Sequence, residues 1–255
     1  MKPHTSYVIC AVQRSGSFLL CEALTNTGLA GNPQEYFLNN GEGWEDGSWA
    51  RQNGVTSRSD YLRLVLEKGT TPNGVFGTKI MWNYFPDMLK NLKELPEYME
   101  VEAPKIMATL FPNIHYIWIT RCDKVRQAVS WAKAGQTDVY ASVKGETPIP
   151  PKREPSFDFE FIDLLHNLIL EGEAGWENFF ETCKVQPFRV EYEELVGAYE
   201  PTALRILEYM KIPYPKNLIF GERRMQKQAD SLNEAWAEKY IQMKRQASGD
   251  TLGPN

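Results

Sequence analysis

One guanidinium, two hydroxyls and a glycine fall together at Arg14-Ser15-Gly16-Ser17. They follow the apolar run Tyr7-Val8-Ile9-Cys10-Ala11-Val12 and precede a helical pattern of Phe18, Leu19, Leu20, Ala23 and Leu24 that stops at Thr27-Gly28. A helix N-terminus presents unpaired backbone N–H groups and the positive end of the helix dipole, which together bind phosphate or sulfate. Gly16 lets the backbone approach closely. Arg14 supplies a planar, permanently charged donor, and Ser15 and Ser17 add hydroxyls. A plainer reading has Ser15 or Ser17 capping the helix, and the turn alone leaves both open. The loop lacks the Gly-Lys pair of an ordinary nucleoside-triphosphate loop. Cys10 and Arg14 stand too close together for the loop of a cysteine phosphatase.

The same logic recurs at Ile117-Trp118-Ile119-Thr120-Arg121, where a second arginine sits as a strand ends and a helix begins. Ser130 follows in that helix among Ala128, Val129 and Ala132, placed to donate to an anion held by Arg121. Alternatively Arg121 pairs with Asp123, and Ser130 bonds back to its own helix carbonyls. Two strand-end arginines in one parallel sheet could grip two anionic groups of a single nucleotide. His4, His115 and His166 show no metal-ligand spacing, so no metal is expected, and His115 reads as structural.

The elements that must position these groups alternate. Further strands are expected over Val75–Trp82, His115–Thr120 and Pro187–Tyr192. Helices are expected over Asp87–Leu95, from Asp123, over Ala203–Met210 and over Leu232–Lys244. A long amphipathic pattern from Phe161 to Phe180 suggests a helix broken at Gly172 or Gly175. Asn39–Ser59 reads as a loop carrying Trp44 and Trp49, and Pro148, Pro150, Pro151 and Pro155 mark an extended linker. This order specifies an α/β fold with a central, mostly parallel sheet flanked by helices and ligands at the carboxyl ends of the strands.

Composition bounds the partners. The 255 residues carry 28 Lys+Arg against 33 Asp+Glu, a formal charge of −5, which argues against nucleic acid as a partner. Any anion site is then a few placed arginines. Cys10, Cys21, Cys122 and Cys183 lie far apart and read as reduced, intracellular thiols. The N-terminal apolar run is too short for a signal peptide, and no stretch reaches the roughly 20 apolar residues of a transmembrane segment. A cytoplasmic protein is expected.

The ordered blocks Gln13-Arg14-Ser15-Gly16-Ser17, Gly31-Asn32-Pro33-Gln34-Glu35-Tyr36-Phe37, Thr71 to Trp82, Arg121 to Trp131 and Gln228-Ala229-Asp230 resemble one family. It is the bacterial sulfotransferases of the trehalose 2-sulfotransferase type, which use 3′-phosphoadenosine 5′-phosphosulfate (PAPS). The resemblance runs from about Ser6 to Trp236. It implies a single P-loop-like domain over residues 1–255, often a homodimer, with variable acceptor-side loops near 39–60 and 141–157. It gives Arg14, Ser15, Gly16 and Ser17 to the 5′-phosphosulfate and Arg121 and Ser130 to the 3′-phosphate, with Arg14 also catalytic. Glu35 becomes the general base, which without the resemblance would read as a surface carboxylate.

Lys227 stands where the family has an arginine and is expected over the 3′-phosphate, keeping the charge but not the bidentate fork. Phe18 replaces a threonine of the family's loop, and Cys122 a proline after the 3′-site arginine. Lys79 and Trp82 are expected to touch the acceptor, a carbohydrate or glycolipid hydroxyl, although strand-end packing would explain them as well. Two rivals stay open: a magnesium-dependent nucleotide kinase, and a non-catalytic nucleotide-binding module.

Overall fold

In the computed structural model, which describes residues 3–38, 44–226 and 228–247, the first apolar run is strand β1 (Thr5–Ala11). Successive side chains of a strand point to opposite faces, and both faces of β1 are covered. Val8 and Cys10 enter one core, while Tyr7, Ile9 and Ala11 enter the other. The chain continues through α1 (Ser17–Thr25), α2 (Ser48–Gln52) and α3 (Arg58–Lys68) to β2 (Val75–Met81). Helices α4 (Phe85–Lys93) and α5 (Ala103–Leu110) precede β3 (Ile114–Thr120). Then α6 (Lys124–Thr137) and α7 (Phe159–Cys183) lead to β4 (Phe188–Glu191). Helices α8 (Tyr192–Gly197), α9 (Tyr199–Tyr209) and α10 (Ser231–Ala247) follow.

The four strands lie in the order β2-β1-β3-β4, and every pairing is parallel, with Cys10 opposite Ile80 on one side and Trp118 on the other. The expected α/β sheet flanked by helices is therefore present. From β1 the chain moves outward to β2, then returns past β1 to β3. Helix α1 packs into the core on one face with Leu20 and Leu24, and α6 into the other with Ala128, Val129 and Ala132. The two connections part above the carboxyl ends of β1 and β3, the place where open α/β sheets bind ligands.

Helix α7 runs unbroken for 25 residues, contrary to the expected break. Gly172 and Gly175 serve close approach instead. A Cβ at Gly172 would lie 2.9 Å from Val12 Cγ2, and one at Gly175 would lie 2.0 Å from Trp82 Cε2. The Trp82 indole sits in this notch and packs on Trp176, centroid to centroid 5.2 Å. Trp176 is fully buried and donates its Nε1–H to the Ala11 carbonyl at 3.0 Å, tying α7 to the end of β1.

The stretch expected as loop after residue 38 includes a 3-10 turn at Trp44–Asp46 and the short α2. Trp44 and Trp49 pack on Tyr61 of α3 at 6.0 and 5.7 Å. They anchor the excursion, and neither lies on the cavity described next.

Candidate functional site

Gly16 caps α1 with a φ of 90°, and a Cβ there would lie 2.3 Å from Tyr192 Cδ2. Both its left-handed backbone and the ring of α8 beneath it demand glycine. No side chain caps this helix, so the plainer reading of Ser15 and Ser17 fails. Leu20 N–H is the first to find an intrahelical acceptor, the Gly16 carbonyl at 3.2 Å. The amides of Ser17, Phe18 and Leu19 have no acceptor earlier in the helix. They stand beside a cavity of about 580 Å³ whose wall includes Arg14, Gly16, Ser17, Glu35, Arg121 and Ser130. Ser15 is fully buried behind them, its Oγ without a partner.

Arg14 also adopts a positive φ, 63°, which swings its side chain across the turn. Its Nε donates to Ser130 Oγ at 3.0 Å, Nη1 to the Tyr140 carbonyl at 2.6 Å and Nη2 to Gln228 Oε1. All three acceptors are neutral. Burial first, and the nearby Arg121 charge second, lower the Arg14 guanidinium from its ordinary range to about 10. A buried cation held only by neutral acceptors next to a second cation is an anion site in waiting.

Arg121 does not pair with Asp123. That carboxylate caps α6 by accepting from Arg126 N–H at 2.8 Å, and it pairs with the Arg126 guanidinium at 2.6 Å. The Arg121 guanidinium lies 5.0 Å from the Tyr192 ring centre, and its buried Nε has no hydrogen-bond partner. Ser130 turns to Arg14 and not back to its own helix. Arg14 and Ser130, assigned by sequence to different phosphate groups, are thus joined, and the two expected subsites form one electropositive wall.

Glu35 lines the same cavity. Its neighbour Gln34 is pinned to β2 through its carbonyl, which accepts from Lys79 N–H at 2.9 Å and Thr78 Oγ1 at 3.1 Å. This places the Glu35 carboxylate 2.9 Å from Lys79 Nζ. The Lys79 side chain is 1% exposed, and its ammonium also lies 3.6 Å from the Phe18 ring centre. Lys79 is therefore the counter-ion of Glu35 and does not reach the cavity wall where an acceptor contact was expected. Trp82, the other expected acceptor contact, is likewise held away, in the α7 notch. Lys227 lies outside the described residues.

Sequence reasoning missed four wall residues: Tyr140, Tyr192, Gln228 in its role on Arg14, and Phe18 in its role on Lys79. Tyr192 directly follows β4, so the strand-end rule that marked Arg14 and Arg121 would have found it. The block Gln228-Ala229-Asp230 acquires a physical meaning: Gln228 holds Arg14, and Asp230 pairs with Lys133 of α6 at 2.6 Å. The preceding segment is fastened by Glu22 Oε1, which accepts from Arg224 and Met225 N–H at 2.8 and 2.9 Å. It is also paired with residues 142–144 by a bridge between Val143 and Met225.

The model of the Stf0 sulphotransferase family matches residues 6–243. A trehalose 2-sulfotransferase of Mycolicibacterium smegmatis is 32% identical, the alignment covering 97% of each chain. One of Mycobacterium tuberculosis is 26% identical over 92% of this chain and 93% of that one. Among solved structures, the sulfotransferase domain from the curacin biosynthetic pathway superposes with a TM-score of 0.50 at 14% identity, covering 94% of this chain and 90% of that one. That likeness speaks to the fold alone.

Proposed function

Because the chain belongs to the Stf0 sulphotransferase family and is a sulfotransferase, we propose that it moves a sulfuryl group from PAPS to a hydroxyl of a carbohydrate or glycolipid, with Glu35 as general base. The observation that carries this reading is the meeting of opposite chemistries in one cavity. Arg14 and Arg121 line it with no carboxylate partner among the described residues, and the Glu35 carboxylate, fixed by Lys79, lines the same cavity. The donor set suits a nucleotide with phosphates at both ends. Arg121 Nε is buried without a partner beside this cavity, and the α1 amides offer further donors.

In this reading Ser17 and the amides at the start of α1 hold the 5′-phosphosulfate, while Arg121 and Ser130 hold the 3′-phosphate. Arg14 reaches between them, exchanging its neutral acceptors for charged ones. Sulfuryl transfer is an in-line displacement through a loose transition state, so positioning and charge stabilisation dominate, as in phosphoryl transfer. Glu35 accepts the proton of the acceptor hydroxyl as its oxygen bonds to sulfur. The electron pair of the broken S–O bond leaves with adenosine 3′,5′-bisphosphate, where Arg14 and the α1 amides meet its growing charge. The names of the two trehalose 2-sulfotransferase relatives support a carbohydrate acceptor.

Glu35→Gln keeps the shape of the wall and removes the base. It is expected to lower turnover by about 100-fold or more, the range of general-base catalysis, with calorimetric affinity for adenosine 3′,5′-bisphosphate unchanged. Unchanged turnover removes Glu35 as base.

A further inference from the structure

Arg14 holds a backbone conformation that an arginine rarely takes. Its φ of 63° lies in the left-handed region, where the Cβ of an L-residue crowds the carbonyl oxygen. Such a conformer persists only where its surroundings over-determine it. The φ of Arg14 is the rotation between the peptide plane that joins it to Gln13 and the direction its own side chain takes. Helix α6 fixes both. Gln127 Nε2 donates to the Gln13 carbonyl at 2.7 Å, and Ser130 Oγ accepts from Arg14 Nε at 3.0 Å. Residues three apart on a helix share one face, so a single rigid element grips the peptide before Arg14 and the guanidinium beyond it. Rotation to an ordinary negative φ would break one of the two bonds.

Gln127 is fully buried and lies behind the cavity wall, not on it. Its Oε1 is buried without a partner, so half of its amide costs stability while the other half holds the turn. Gln13 is tethered on its far side as well, its Nε2 donating to Asn83. The Tyr140 carbonyl and Gln228 also hold the guanidinium, but an anion that reaches Arg14 takes their place. The Gln127 bond grips the main chain and is untouched by that exchange. Resting on the donor reading above, we infer that Gln127 is a positioning residue, which keeps Arg14 in its left-handed conformer with the guanidinium aimed between the two phosphate sites. Freed of Gln127, Arg14 relaxes to a negative φ, and donor affinity falls with the fraction of protein that keeps the competent conformer. The left-handed penalty of an L-residue converts to a fall of about 5- to 30-fold.

The test is calorimetry with adenosine 3′,5′-bisphosphate on Gln127→Met and Gln127→Ala, each made in the wild-type and in the Arg14→Gly background. Two replacement sizes guard against a packing defect of either. With Arg14 present, both are expected to weaken binding about 5- to 30-fold. Glycine takes a positive φ freely and carries no guanidinium, so with Arg14→Gly the same changes are expected to alter Kd less than about twofold. A residue that merely packs α6 against the sheet would weaken binding equally in both backgrounds, and that result overturns the inference. So does unchanged affinity with Arg14 present. Ligand-free protein supplies a second readout, exchange of the Arg14 Nε–H with water in nitrogen–proton correlation spectra, the signal being assigned by its loss in Arg14→Gly. Exchange is expected to be about tenfold faster or more in Gln127→Met, and an unchanged rate overturns the inference. Wild-type protein that does not bind the bisphosphate overturns the donor reading, and the Nε–H exchange then decides separately whether Gln127 holds Arg14.

Discussion

Replacing Arg121 by methionine should lower ligand affinity while leaving the stability of the free protein nearly unchanged. The fall of the Arg14 guanidinium from its ordinary range to about 10 corresponds to about 3 kcal/mol against its charged form. Burial is the larger cause and Arg121 the second, so the share of Arg121 is on the order of 1 kcal/mol. The unfolded guanidinium keeps its proton up to the ordinary arginine range and the folded one only to about 10. The penalty is therefore constant at neutral pH and lifts only as pH rises above about 10 towards the ordinary arginine range. Arg121→Met relieves that repulsion and gives up the contact with the Tyr192 ring, worth about 0.5–1 kcal/mol. The two nearly offset, and since 1 kcal/mol moves Tm by about 2–4 °C in a chain of this size, the free protein should melt within about 2 °C of wild type. The 3′-phosphate, however, loses a charge-assisted partner worth about 1.5–3 kcal/mol, or about 10- to 150-fold in Kd. Thermal melts near pH 7 with and without adenosine 3′,5′-bisphosphate read both quantities. A variant that melts well below wild type yet keeps the full ligand-induced rise would make Arg121 a structural residue and refute the reasoning.

Two other substitutions probe the supporting structure. Lys79→Met leaves Glu35 without its counter-ion in a wall closed by Phe18, and is expected to lower kcat about tenfold or more while the bisphosphate Kd changes less than about twofold, measured by single-turnover rates and calorimetry. Gly175→Ala should destabilise by about 2–4 kcal/mol in urea melts, although alanine is the better helix former by about 1 kcal/mol, because its Cβ would strike the Trp82 indole.

The fold was legible because β1 and β3 carry long apolar runs, the pattern of strands covered on both faces, and β2, interrupted by Thr78 and Lys79, follows the turn Thr71-Pro72-Asn73-Gly74. Arg14 and Arg121 were legible because each ends such a strand, and the chain order of strands and helices put both on one edge. Their joining through Ser130 was not, since it depends on the positive φ of Arg14, which no local pattern announces for an arginine. Glycines 172 and 175 pointed towards a helix break because glycine weakens a helix locally. The partner that fills the space, Trp82, lies about 90 residues away in sequence. Glu35 needed the family resemblance to be noticed. A Pro-Gln-Glu turn looks like any exposed carboxylate until the strand carrying Lys79 is laid beside it.

The central claim, that Arg14, Arg121 and Glu35 form one sulfuryl-transfer site, is tested most directly by following radiolabelled sulfuryl groups from PAPS into a panel of carbohydrate and glycolipid acceptors. Wild-type protein should release one adenosine 3′,5′-bisphosphate per labelled product, and Glu35→Gln should bind the bisphosphate normally but form almost no product. Label transfer undiminished in Glu35→Gln, or no transfer by wild-type protein that binds the bisphosphate, would contradict the account.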